Sequence, residues 1–256
     1  MMKHNDFLRA AAALTVTLGL AAAPHAVSAQ EASPFDARQS EAIERLVQQY
    51  LLEHPEVLVE ALRRYEQQQQ AAEARRQAEA IAALAGQLTA DPRDPVIGNP
   101  QGDVTLVEFF DYRCGYCKRM TGTLAKLIEE DPQLRVVMKE FPILSQQSAT
   151  GAHAALAALR QGKYEAFHFA LMEGGGGLSQ MEILAVADSV GLDSERLQRE
   201  MQDPQITALL RSNHALAEQI GITGTPAFII GNTLIPGAVS IEELRAKIAA
   251  ARAKAG

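Results

Sequence analysis

The chain has 256 residues, of which 47% are hydrophobic, room for one sizeable domain with a further segment and no case for general disorder. A formal net charge of −7 argues against a general nucleic-acid binder, which carries a basic face. Two cysteines, Cys114 and Cys117, are too few for a disulfide framework or a four-ligand zinc site.

Residues 1–29 have the pattern of an export signal. Lys3 and Arg9 precede an uncharged run from Ala10 to Ala23, and Val27-Ser28-Ala29 offers small residues for cleavage after Ala29. The run is shorter than the ~20 residues of a membrane span, so an uncleaved anchor is the lesser alternative. The expected location is an exported, oxidising compartment.

Residues 30–90 form the next segment, expected to be a helical arm. Apolar residues recur at Ile43, Val47, Tyr50 and Leu51, then at Val57, Leu58, Ala61, Leu62 and Tyr65, the spacing of two helices. Pro55 suits the first turn of the second helix, predicted to run to about Leu88. Its middle, around Gln67–Gln70, is polar all round, so the apolar stripe needs a partner. That partner is either the rest of the same chain or identical subunits; the second alternative puts the contact in residues 40–65. Residues 91–103, punctuated by proline and glycine, are expected to be a linker.

A second domain is expected over residues 104–256. Val104–Phe110 is a continuous β-branched and aromatic run, a buried strand; Lys118–Glu130 has helical spacing; Arg135–Phe141 is a second strand. Residues 147–220 are predicted as five helices: Ala149–Arg160, Lys163–Met172, Gln180–Val190, Ser194–Met201 and Pro204–Gln219. Residues 225–230 and 233–237 form a hairpin about Gly231-Asn232, and Ile241–Ala253 closes the chain as a helix. The fold class is α/β with a large helical insertion, behind an N-terminal helical oligomerisation arm.

A C-x-x-C pair between a buried strand and a helix has the form of a thioredoxin-like redox site. A four-residue loop is a poor staple, because disulfide stabilisation grows with the loop closed. Haem attachment needs His after Cys117, where Lys118 stands. Two thiolates could still hold Cu(I). Cys114, at a helix N-terminus among Arg113, Lys118 and Arg119, is the candidate exposed nucleophile, and Cys117, one turn deeper, the resolving thiol. Gly115 leaves the backbone accessible and Tyr116 adds a stacking surface. His153 and His168 read as core-edge or surface residues, His54 as a turn residue, Glu173 and Asp188 as solvated carboxylates.

The stretch VEFFDYRCGYC (107–117), with GITGTPAF (221–228) and the helical block between them, resembles the DsbA-like branch of the thioredoxin superfamily over nearly all of residues 100–256. EHPEVL (53–58) resembles the N-terminal segment of bacterial ScsC proteins, suppressors of copper sensitivity, some of which trimerise through it. The resemblance implies a thioredoxin fold, a cis Thr225–Pro226 bond in a loop that holds substrate backbone, and Glu108 as a proton relay beneath Cys117. The alternative for Glu108 is an edge-facing carboxylate with no role, and Lys139 on the next strand is the candidate partner of that carboxylate. Gly-Tyr between the cysteines and Thr before Pro226 are similar to the isomerase pattern; strongly oxidising relatives have Pro-His and Val. The implied function is a homotrimeric disulfide isomerase or reductase acting on misfolded or misoxidised exported proteins. It would be kept reduced by a membrane thiol electron donor, with no cofactor beyond the Cys114–Cys117 disulfide. A DsbA-type dithiol oxidase and a Cu(I)-binding copper-tolerance protein are the alternatives.

Overall fold

The computed structural model describes residues 35–175 and 177–255, so the predicted signal segment 1–29 lies outside the described residues. The chain divides into two compact units, one ending at Leu62 and the other starting at Arg63.

In the first unit, helix α1 (Ala37–Glu53) is started by Asp36 and Gln39, whose side chains cap each other's backbone N–H groups. His54 ends it and Pro55 opens helix α2 (Pro55–Ala83), a position where the missing proline N–H is of no consequence. α1 buries no residue, and Leu46, Val47, Tyr50, Leu52, Leu58, Val59 and Leu62 are exposed.

The second unit is built on a five-stranded sheet in the order β1-β3-β2-β4-β5. The strands are β1 (Val96–Gly98), β2 (Val104–Phe110), β3 (Leu134–Glu140), β4 (Ala227–Ile230) and β5 (Thr233–Pro236). Only β2 and β3 are parallel, joined by helix α4 (Gly115–Glu130). Both central strands are covered on both faces, which is why they read as unbroken apolar runs. On one face Leu106, Phe110, Val136, Met138 and Phe228 pack against α4, the inserted helices and the terminal helix α10 (Ile241–Ala255). On the other, Val107, Phe109, Val137 and Ile229 pack against Ile81, Leu88 and the end of helix α9 (Pro204–Gln219). The insertion also holds α5 (Gln146–Leu159), α6 (Tyr164–Glu173), α7 (Gln180–Ser189) and α8 (Ser194–Glu200).

Two expectations change. The segment 91–103 is not a plain linker: Val96–Gly98 pairs antiparallel with β3 as an edge strand. The second arm helix also does not run unbroken to Leu88. It leaves helical geometry at Leu84, and the short helix α3 (Ala85–Thr89) follows. Ile81 and Leu88 belong to the buried cluster behind the sheet, so this end of the arm is core.

Candidate active site

β2 ends at Phe110, and the next three residues are pinned before the cysteines begin. Asp111 Oδ1 accepts the Arg113 N–H at 2.7 Å, while Oδ2 accepts the N–H groups of Ile143 and Leu144 at 2.9 and 3.0 Å. The Asp111 carbonyl takes the Cys114 N–H at 3.0 Å. A short side chain bonding the backbone two residues on is a standard turn device, and here it aims Cys114 at the start of α4.

Cys114 is the N-cap of α4. Its Sγ accepts the Cys117 N–H at 3.3 Å, the place of the usual oxygen of a capping Ser or Asp. Across the site, the Cys114 thiol donates to the Thr225 carbonyl at 3.2 Å, from the loop whose Thr225–Pro226 bond is cis. Both cysteines are free thiols, and Cys114 is not the exposed sulfur expected: it is 5% exposed against 1% for Cys117, with the Thr225 carbonyl seated against its Sγ. Burial holds the Cys117 thiol far above its usual range against the lowering pull of the Asp111 backbone, with the Cys114 side chain and the charge of Glu108 adding smaller pushes upward. Gly115 is exposed, and a Cβ there would meet only Arg119 Nη1 at 3.8 Å. Tyr116 is 59% exposed with the Arg119 guanidinium 4.2 Å from its ring centroid.

Glu108 is buried on the same sheet face as Cys117's core cluster, and burial pushes its carboxyl up to about 8. The folded pKa thus lies above the usual 4.5. The protonated form therefore favours folding fully below about pH 4.5, and that contribution is lost as pH rises through about 8. Glu108→Gln is expected to unfold at higher denaturant than the parent at pH 8.5 and to narrow the difference at pH 5. Urea titrations at the two pH values check this.

Lys139 is not the partner of Glu108. β2 and β3 run in register with Glu108 beside Met138 and Phe109 beside Lys139, so Lys139 points to the opposite face. There its ammonium pairs with buried Asp94 and donates to the Gln87 carbonyl at 2.7 Å. The buried acid on the Glu108 face is instead Glu140, whose Oε1 accepts the Tyr164 and Tyr112 hydroxyls at 2.8 and 3.1 Å. Burial holds the Glu140 carboxyl well above the usual carboxylate range.

His168 is likewise fully buried, not a core-edge or surface residue: its Nδ1 lies 3.0 Å from the Tyr112 hydroxyl, and burial lowers its pKa to about 3, leaving it neutral. Tyr112, Glu140, Tyr164 and His168 therefore bind the loop before Cys114 to α6. Tyr112 sits inside the cysteine motif, but nothing in the sequence links it to Glu140. His153 is half-buried between the Ala149 carbonyl and Thr207. Among the described residues, no group of three His, Cys, Asp or Glu side chains could hold a metal, and Cys114 and Cys117 are the chain's two thiols.

A C-x-x-C pair whose first cysteine caps the helix after the central strand, opposed by the carbonyl before a cis proline, defines the thioredoxin-fold class. Residues 105–249 match the DSBA-like thioredoxin domain, and residues 39–72 match the copper resistance protein ScsC N-terminal domain. The chain belongs to the DsbA-like thioredoxin domain family and carries an ScsC-type N-terminal segment.

A thioredoxin-like oxidoreductase from Silicibacter pomeroyi is 47% identical, covering 66% of this chain and 97% of its own, with a TM-score of 0.64. ScsC of Proteus mirabilis in a transitional conformation is 31% identical over 86% of this chain and 98% of that one, TM-score 0.64. A periplasmic thioredoxin-like protein from Salmonella enterica serovar Typhimurium is 31% identical over 67% and 97%, TM-score 0.61. The chain spans about a quarter of the curated relatives it matches, such as the Na(+)/H(+) antiporter NhaA 1 of Salinispora arenicola: 28% identity over 164 residues, 63% of this chain and 25% of that protein. Among the described residues, no helix is long and apolar enough to cross a membrane.

Proposed function

We propose that the protein is a periplasmic thiol–disulfide oxidoreductase that works as a disulfide isomerase or reductase on misoxidised exported proteins. The observation that carries the reading is the Cys114 thiol at the N-cap of α4, held by the Cys117 N–H and facing the Thr225 carbonyl. A helix N-terminus favours the thiolate, which is the attacking form. In the reaction, Cys114 Sγ attacks one sulfur of a substrate disulfide, the other leaves as thiolate, and a mixed disulfide forms. The Thr225 carbonyl and the Gly115–Tyr116 turn receive the substrate backbone and side chain. Cys117 Sγ then attacks Cys114, releasing substrate thiol and closing the Cys114–Cys117 disulfide. Glu108, with its carboxyl near 8, populates both forms close to neutrality; it takes the Cys117 proton on closure and returns it on reduction. A membrane thiol donor restores the dithiol.

The exposed apolar side chains of residues 40–65 support joining copies of the chain, a trimer by analogy with ScsC proteins. Several active sites on one assembly raise the effective concentration at a substrate with several disulfides, which favours reshuffling over single oxidation. Leu46→Asp with Leu58→Asp is expected to convert the assembly to monomers in sedimentation velocity and to lose most reshuffling of scrambled ribonuclease while dithiol oxidation persists. A parent chain that already sediments as a monomer, or monomers that reshuffle as well as the parent, would point to the oxidase alternative. Cu(I) bound one per chain without any disulfide exchange would favour the copper-carrier alternative, in which Cys114 and Cys117 are the ligands.

A further inference from the structure

We propose that the surface around Cys114 selects disulfides whose cysteines are flanked by acidic side chains, with Arg113, Lys118 and Arg119 reading that charge. The inference deepens, and rests on, the thiol-exchange reading above. The chain as a whole is acidic, at −7, yet Arg113 to Arg119 holds three cations and no carboxylate.

Each cation has a defined place around the nucleophile. Arg113 immediately precedes Cys114, is exposed, and donates from Nη1 to the Gln147 amide oxygen. Lys118 is half-buried, its ammonium donating to the Gly174 carbonyl at 2.7 Å; burial first, then the charge of Arg113, lowers its pKa. Arg119 is exposed over the turn between the cysteines, stacked on Tyr116 and close to Gly115.

Among the described residues none of the three has a carboxylate within 4.0 Å, whereas Arg93, Lys139, Arg160, Arg245 and Arg252 each do. The nearest acid along the chain, Asp111, is buried and both its oxygens accept backbone N–H groups. Of the other acids on adjoining segments, Glu182 caps Ser179, and Glu173 ends α6.

Cations crowded at the positive end of a helix repel one another and the helix dipole. An incoming anion relieves that repulsion, so acidic residues beside the substrate cysteine gain attraction that basic ones lose. Such a field acts mainly on the encounter rate and is screened by salt. Chemistry is unchanged: Cys114 Sγ forms a bond to one peptide sulfur, the peptide S–S bond breaks, and the second sulfur leaves as thiolate. One disulfide replaces another, with no external oxidant.

The test uses the full, reduced chain and two peptide disulfides differing only in Asp-Cys-Asp against Lys-Cys-Lys, each rate divided by that of a small neutral thiol with the same peptide. At about 10 mM ionic strength the acidic peptide is expected to react roughly tenfold faster, with the advantage vanishing near 1 M salt. Arg113→Gln with Arg119→Gln is expected to cut that advantage at least about threefold at low salt. Equal rates, a basic preference, or an advantage untouched by the double substitution overturns the proposal while leaving thiol exchange intact. Absence of exchange with both peptides overturns the underlying reaction and the proposal with it.

Discussion

Replacing Cys114 by serine is expected to remove thiol–disulfide exchange by roughly three orders of magnitude or more, since the hydroxyl that remains is not ionised near neutrality. Cys117→Ser is expected to do something different. Cys114 can still attack, but no second sulfur one turn on can release it, so mixed disulfides with substrate or glutathione should accumulate and be visible by mass spectrometry. The asymmetry follows from position: Cys114 caps the helix and touches the Thr225 carbonyl, whereas Cys117 is more deeply buried and its thiol is held far above its usual range. Equal trapping by the two variants, or trapping through Cys117 alone, would reverse the roles assigned.

The second large effect is on stability and comes from the opposite face of the sheet. Lys139 and Asp94 form a buried ion pair, each side chain 1% exposed, and Asp94 Oδ1 has no hydrogen-bond partner. Burial pushes the Asp94 carboxyl up to about 6 even with the ammonium present. Lys139→Met should leave that carboxylate buried without its counter-charge, a change that typically costs about 3–5 kcal/mol. For a unit of this size that is a fall of roughly 6–20 °C in Tm.

The sign with pH is fixed by the same group. A carboxyl with a raised folded pKa favours folding when protonated, so the loss relative to the parent should be smaller at pH 5 than at pH 8. Asp94→Leu combined with Lys139→Met should recover most of the loss, because a buried pair replaced by apolar groups is often neutral. Calorimetry of the parent, single and double variants at both pH values checks all three statements. A single variant as stable as the parent at pH 8 would mean that the pair is not buried as described.

Much of this architecture is legible in the sequence where one strong local signal dominates. Val104–Phe110 reads as a strand to the residue because a strand covered on both faces has no alternation to disguise it. Pro204 opens α9 where it was expected, behind the capping Asp203. The hairpin is equally plain: Gly231 takes φ 58, the left-handed conformation its two-residue loop requires.

Other features lack a local signature. α4 starts three residues before the predicted Lys118 because its cap is the Cys114 sulfur, not a Ser, Thr, Asp or Asn. β1 is three residues long inside a proline- and glycine-marked stretch, and only its pairing with β3 makes it a strand. The Glu108–Lys139 pairing fails on register, since a one-residue offset in a parallel pair sends a side chain to the other face. His168 sits on a helix buried among Tyr112, Tyr164 and Phe110, contacts that arise from tertiary packing alone.

Redox titration of the dithiol bears most directly on the whole account. The full chain is equilibrated in graded mixtures of reduced and oxidised glutathione, quenched with acid, alkylated and weighed. A single two-electron transition between free thiols and an internal Cys114–Cys117 disulfide is the expected result. Cysteines that stay reduced at every ratio, or that only take up glutathione one at a time without ever closing on each other, would contradict it.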